Sequence, residues 1–174
     1  TVATTHMLDV IAERYHMDMI ETPVGFKYIG ECLFNKGAIL GGEESGGLSI
    51  KGHIPEKDGI LANALMAGVS VSEGKSFREI INDIQSVFGH RVSNRLDINC
   101  SSDKKQEILD KMATFTPDKL MGKKVVETIT IDGLKHVMED GSWFLVRPSG
   151  TESLFRIYAE AADKKEVEGI QKEV

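Results

Sequence analysis

Residues 125–161 read VVETITIDGLKHVMEDGSWFLVRPSGTESLFRIYAEA. Four segments rich in β-branched and aromatic residues, VVETITID, GLKHVME, SWFLVRP and LFRIYAEA, are separated by Asp132-Gly133, by Asp140-Gly141 and by a Pro/Ser/Gly turn. Asp-Gly between such runs is a strong hairpin signal, so the stretch predicts a series of antiparallel strands. Working outward, RVSNRLDINC (91–100) adds a strand, Ser102 to about Thr114 a helix, and the charged tail after Ala161 a final helix. Trp143 and Phe144 alternate in their strand and are expected to divide between core and surface. The fold class expected here is α+β.

The other half alternates helix and strand. Thr5 is placed to cap a helix whose apolar positions Leu8, Ile11, Ala12 and Tyr15 recur at helical spacing. MDMIETPVG (17–25) alternates as a short strand until Pro23 and Gly25 interrupt it. Phe26, Ile29 and Leu33 then form one face of a helix ending near Gly37, and AIL (38–40) reads as a strand running into GGEESGG. A long helix follows from Asp58 to about Gly74, and Ser76 with Glu79 forms a capping box opening another to Phe88. The boundary is expected within 87–92, giving an α/β unit over 1–88 and an α+β unit over 89–174.

At 41% hydrophobic and 28% charged residues the chain has the composition of a soluble protein with a packed core. Its formal charge of −6 and 6% aromatic content give neither the electrostatic footprint nor the stacking platform that nucleic acid or an anionic membrane surface requires. Cys32 and Cys100 have no C-x-x-C spacing, so neither a zinc site nor a disulfide framework is indicated, and a cytoplasmic, reducing compartment is expected. His6, His16, His90 and His136 have no metal-ligand spacing and are expected to be structural or solvated. No stretch approaches the roughly 18 apolar residues of a membrane span, and the first residues do not read as a signal peptide. The chain begins at Thr1 without Met and enters a folded pattern at once, as a piece of a longer chain would.

Three segments carry possible chemistry. In Arg147-Pro148-Ser149-Gly150-Thr151, between two strands, a guanidinium fork, two hydroxyls and backbone N–H groups can converge on one phosphate; an ordinary surface turn fits the same pattern. In Gly41-Gly42-Glu43-Glu44-Ser45-Gly46-Gly47, glycines allow close approach of a ligand while Glu43 and Ser45 can bond sugar hydroxyls. A flexible, solvated acidic loop reads the same way. In His53-Ile54-Pro55-Glu56-Lys57-Asp58-Gly59, an imidazole and an ammonium can enter a cleft, although Asp58 is equally a helix cap and Lys57 a solvated residue. Lys27 also fits the wet face of its helix.

Taken in order, GFKYIGE (25–31), GGEESGG (41–47), HIPEKDG (53–59) and RPSGTESLFRIYAEA (147–161) resemble the consecutive signatures of the α-D-phosphohexomutases, the phosphoglucomutase/phosphomannomutase family. The resemblance covers almost the whole chain. It implies that the first unit is most of the family's third domain, lacking its first strand and helix, and that the second is its fourth, a TATA-binding-protein-like module. It further implies that Glu43 and Ser45 read sugar hydroxyls with Lys27 and His53 beside them, that Lys57 belongs to the catalytic cleft, and that Arg147, Ser149, Gly150 and Thr151 grip the phosphate that is not being transferred. Glu152-Ser153 departs from the commoner Glu-Pro. The family's reaction interconverts hexose 1-phosphates and 6-phosphates of glucose or mannose through a bisphosphate, using a phosphoserine and Mg2+. The serine loop and the magnesium-holding aspartate loop are absent from this sequence, so the resemblance implies an isomerase as the full-length protein, this part being inactive alone, with its Mg2+ ligands and remaining domains elsewhere. A stand-alone, non-catalytic phosphosugar-binding module is the alternative.

Overall fold

The helices of the first ninety residues form where a cap or an apolar face is available to hold them. In a computed structural model that describes residues 1–150 and 152–173, with Ser102 described only by its place in a helix, α1 spans Met7–Arg14 and the Thr5 hydroxyl accepts from the Met7 N–H at 3.1 Å. Helix α2, Phe26–Asn35, buries Phe26, Ile29 and Leu33, the residues its spacing aligns on one face, and Ala38 packs beside them. Helix α3 spans Gly59–Glu73 and α4 Phe77–Phe88, the latter opened by the Ser76/Glu79 capping box.

Between α2 and α3 lie β1 (Leu40–Gly42) and β2 (Leu48–Ile50), an antiparallel pair with Leu40 opposite Ile50 and Gly42 opposite Leu48. The strand expected within 17–25 does not form. Residues 17–22 have no regular structure, and among the described residues no strand lies alongside them, so alternation there has no ladder to join. Helix α3 is apolar as read, yet buries none of its residues; Ile60 and Val71 are 84% and 83% exposed. Composition predicted the helix correctly, but burial depends on neighbours.

The chain divides into two compact units, Thr1–His90 and Arg91–Val174. The second is built on one antiparallel sheet. Its elements are β3 (Val92–Asn99), α5 (Ser102–Thr114), β4 (Lys119–Leu120), β5 (Lys123–Ile129), β6 (Leu134–Met138), β7 (Trp143–Pro148), β8 (Leu154–Ala161) and α6 (Lys164–Glu173), with the strands ordered β3-β8-β7-β6-β5-β4. The two short turns are those the Asp-Gly pairs predicted; Gly133 and Gly141 take φ of 94° and 80°. Phe144, Val146, Phe155, Ile157 and Ala159 share the sheet face that packs against Val167 and Ile170 of α6 and Ile108, Leu109 and Met112 of α5. Each such side chain contributes about 1.5–3 kcal/mol on leaving water.

Trp143 and Phe144 do take opposite faces, but both are buried, at 1% and 0% exposure, so the expectation that one would reach the surface is overturned. Alternation assigns a residue to a face without saying whether that face is covered. The Trp143 indole N–H donates to Glu160 Oε1 at 3.1 Å, and the Lys135 ammonium lies 4.4 Å from the Trp143 ring centroid. His136 is a core residue too. Its Nε2 lies 3.2 Å from the Phe115 carbonyl, which can only accept, so Nε2 carries the proton and Nδ1 accepts from the Thr128 hydroxyl at 2.9 Å. Burial lowers its pKa, a little offset by that carbonyl, and keeps the ring neutral.

At the β6–β7 turn, Asp140 accepts from Ser142 N and Oγ at 3.1 and 2.6 Å and from Lys123 Nζ at 2.6 Å. Burial works to raise its pKa, but these hydrogen bonds prevail and hold it at about 2, against an ordinary value of 3.8. A depressed folded pKa contributes stability that is complete above the unfolded value and disappears as pH falls through the folded one, here between about 4 and 2. Because the carboxylate is partly exposed, screening leaves about 1 kcal/mol of that contribution. Urea melts of Asp140→Asn are therefore expected to show about 1 kcal/mol less stability than wild type at pH 7, with the two proteins converging toward pH 2; an unchanged pH dependence would contradict the assignment.

Candidate functional site

Three motifs of the first unit meet around the β1–β2 hairpin. Its tip is a three-residue turn: the Glu43 N–H donates to the Gly47 carbonyl at 2.9 Å, the Gly46 N–H to the Glu43 carbonyl at 3.0 Å, and Gly46 takes the left-handed φ of 88° that this turn needs before the returning strand. GGEESGG is thus a hairpin tip and not the end of a strand in a parallel sheet. Ser45 and Glu44 sit exposed on it, with Glu44 Oε2 accepting from Thr1 Oγ1 at 3.3 Å. The Glu43 side chain turns inward, only 6% exposed, and its Oε2 lies 3.5 Å from Lys57 Nζ. These two candidate residues, 14 positions apart in sequence, are brought together.

The loop carrying His53 and Lys57 is tied to the hairpin at three points. The His53 N–H donates to the Ile50 carbonyl at 3.1 Å, the Asp58 N–H to the Leu48 carbonyl at 3.2 Å, and the buried Ser49 hydroxyl to the Ile54 carbonyl at 2.6 Å. His53 Nε2 is 2.9 Å from Asp58 Oδ2, while Asp58 Oδ1 accepts from the Ile60 and Leu61 N–H groups at 2.9 and 3.1 Å as the cap of α3. Asp58 is both cap and histidine partner. The α3 N–H groups, first through Leu61, and then His53 hold its carboxyl below the usual range. From the other side α2 closes on the loop at Gly30, where any Cβ would overlap the Pro55 carbonyl. Lys27, on the first turn of α2, is exposed, with its ammonium 4.7 Å from the Tyr28 ring and not in the Glu43–Lys57 pair.

In the second unit, Arg147 lies at the end of β7, and its side chain is 11% exposed. Its Nη2 pairs with Asp132 Oδ2 at 3.1 Å, and its Nε is buried without a hydrogen-bond partner. The β5–β6 turn presses against it so closely that a Cβ at Gly133 would collide with the Val146 carbonyl and the Arg147 side chain. Ser149 is buried; its N–H donates to the Leu154 carbonyl at 2.9 Å and its hydroxyl accepts from the Glu152 N–H at 3.2 Å. Gly150 is exposed with open space around it. Thr151 lies outside the described residues. A guanidinium fork beside a hydroxyl on a short turn is donor chemistry suited to a phosphate.

Sequence reasoning named Asp132 only as a turn residue and Glu152 only in the Glu-Ser departure, and gave neither these nor Arg156 a role in the site. Arg156 stands directly opposite Arg147 across the β7–β8 pair, and its Nη2 contacts Glu152 Oε2 at 2.7 Å. Counting back from the turn would have paired the two arginines, because Pro148 is opposite Phe155. Among the described residues no three His, Cys, Asp or Glu side chains gather as a metal-holding set. Nor, among these residues, is any helix long and apolar enough to cross a membrane.

The phosphoglucomutase/phosphomannomutase domain III model, described as alpha/beta/alpha, matches residues 1–88, and the C-terminal domain model of the same family matches residues 98–174. The chain belongs to the phosphoglucomutase/phosphomannomutase family. It is 32% identical over 165 residues to a phosphoglucomutase/phosphomannomutase of Thermococcus kodakarensis, covering 95% of this chain and 34% of that one. A phosphoglucosamine mutase of Methanococcus maripaludis is also 32% identical, over 94% of this chain and 35% of its own length. Among solved structures, parafusin, a phosphoglucomutase from Paramecium, superposes with a TM-score of 0.76 at 25% identity, over 98% of this chain and 35% of that one. The chain thus spans about a third of the length of these relatives.

Gly30→Ala tests whether α2 sets the position of the loop. It is expected to cost about 1–3 kcal/mol, as overpacking does, and to shift the NMR signals of His53 and Lys57; a variant as stable as wild type with those signals in place would show that α2 does not hold the loop.

Proposed function

We propose that this chain supplies the sugar-reading and phosphate-holding parts of a phosphohexomutase that interconverts hexose 1-phosphates and 6-phosphates. In the whole enzyme a phosphoryl group passes from a phosphoserine to the free hydroxyl of the sugar monophosphate. The resulting bisphosphate turns round and returns its other phosphoryl group to the serine. The serine and the Mg2+ ligands lie outside residues 1–174, the enzyme works in the cytoplasm, and the chain alone does not turn over substrate.

In this reading Glu43 and Ser45 accept and donate hydrogen bonds to sugar hydroxyls, with His53 and Lys27 near them. Lys57 brings positive charge to the catalytic cleft, held back by Glu43 until substrate arrives. Arg147, Ser149, Gly150 and Thr151 hold the phosphate that is not in transfer. The observation that carries the proposal is the Arg147 fork, oriented by Asp132 beside the Ser149 turn at the end of a buried strand. Such preorganisation lowers the cost of ordering the site when the ligand binds.

The test is a calorimetric or NMR titration of the chain with glucose 1,6-bisphosphate. Saturable binding is expected, weakened at least about 10-fold by Arg147→Ala, since a charge-assisted hydrogen bond contributes about 1.5–3 kcal/mol. Binding that ignores the substitution, or none at all by the folded chain, would overturn the proposal, as would mutase turnover by the chain alone in a coupled assay.

A further inference from the structure

Resting on the phosphate-holding role of Arg147, a second feature of the same sheet end bears on how that phosphate is released. Arg147 and Arg156 are directly opposite neighbours on β7 and β8, so their side chains leave the same face of the sheet. Like charges at such a position repel. Among the described residues each guanidinium pairs with a carboxylate from a turn: Asp132 for Arg147, at 3.1 Å, and Glu152 for Arg156, at 2.7 Å. Asp97, opposite Arg156 on its other side, is paired with Arg95 at 2.9 Å and adds a weaker attraction to Arg156. Both arginine Nε atoms are buried with no hydrogen-bond partner. The arginine pair therefore has donor capacity left over, while its charge is compensated from within the chain.

We propose that Glu152 is an internal counter-ion that competes with the phosphate group of the ligand for Arg156, so that the clamp holds phosphate weakly enough to release it. Glu152 is suited to this exchange. Its side chain is 56% exposed, against 23% for Arg156, so it can swing into water when an anion arrives and return when the anion leaves. Its backbone N–H donates to Ser149 Oγ at 3.2 Å, a contact that does not involve the carboxylate. Asp132 stands in the same relation to Arg147, but its 23% exposed side chain is more confined and orients the fork more than it competes. A bisphosphate that has to turn round needs a clamp that lets go, and an internal competitor lowers the net affinity without removing a donor. Glu152 acts through Arg156 and is a positioning residue.

The experiment compares wild type with Glu152→Gln, which keeps the shape and the backbone hydrogen bond while removing the charge. Both chains are titrated with glucose 1,6-bisphosphate and with inorganic phosphate, and dissociation rates are read from NMR line shapes. The expected result is about 3- to 10-fold tighter binding by Glu152→Gln, appearing as slower dissociation, the size an exposed ion pair contributes when it competes. A melting temperature near that of wild type should confirm that the fold is kept. Unchanged or weaker binding by Glu152→Gln, with wild type binding and Arg147→Ala abolishing it, would overturn this inference and leave the phosphate-holding role standing. No binding by wild type would overturn both.

Discussion

The antiparallel pairing of β7 with β8 is the constraint from which most of the second unit follows. Its register runs from Trp143 opposite Glu160 to Pro148 opposite Phe155. Because side chains alternate, that one register sends Phe144, Val146, Ile157 and Ala159 into the core beneath the helices and leaves Arg147 and Arg156 together on the other face. A slip of one residue would turn the side chains of one strand to the opposite face, taking its apolar set out of the core and parting the two arginines. Core packing and ligand chemistry are therefore fixed by the same hydrogen-bond ladder, and the short turn between the strands inherits a position that loop geometry alone could not define.

In the first unit a smaller scaffold does similar work. The β1–β2 hairpin has three residues per strand, too little to be stable alone, and is held by α2 on one side and by hydrogen bonds from the 53–58 loop. Ser49 is decisive among these contacts. Fully buried, it donates to the Ile54 carbonyl and so joins the strand behind the GEES turn to the loop that carries His53 and Lys57. Inward rotation of Glu43 then places a carboxylate against Lys57, so that two oppositely charged groups able to meet a sugar phosphate neutralise each other at rest.

Both candidate sites share this economy of charge. Lys57 is matched by Glu43, His53 by Asp58, Arg147 by Asp132 and Arg156 by Glu152. A chain with a net charge of −6 can still attract an anionic ligand if its cations are locally concentrated and their partners can be displaced.

The sequence determined where helices and hairpins begin, because capping and turn chemistry are local: Ser76 with Glu79, Asp58, and the two Asp-Gly turns all do what their neighbours in sequence specify. It also supplied the motifs by which the family is recognised. Whether an element finds a partner was decided only in three dimensions. The alternation of 17–22 needed a neighbouring strand and found none among the described residues, Trp143 and Phe144 are both buried because burial depends on what lies over each face, and α3 stayed exposed despite its apolar composition. The charge pairs that set the resting state of each site join residues 5 to 15 positions apart, except for Arg156 and Glu152 at four; their meeting is a property of strand register and loop attachment, which no local pattern encodes.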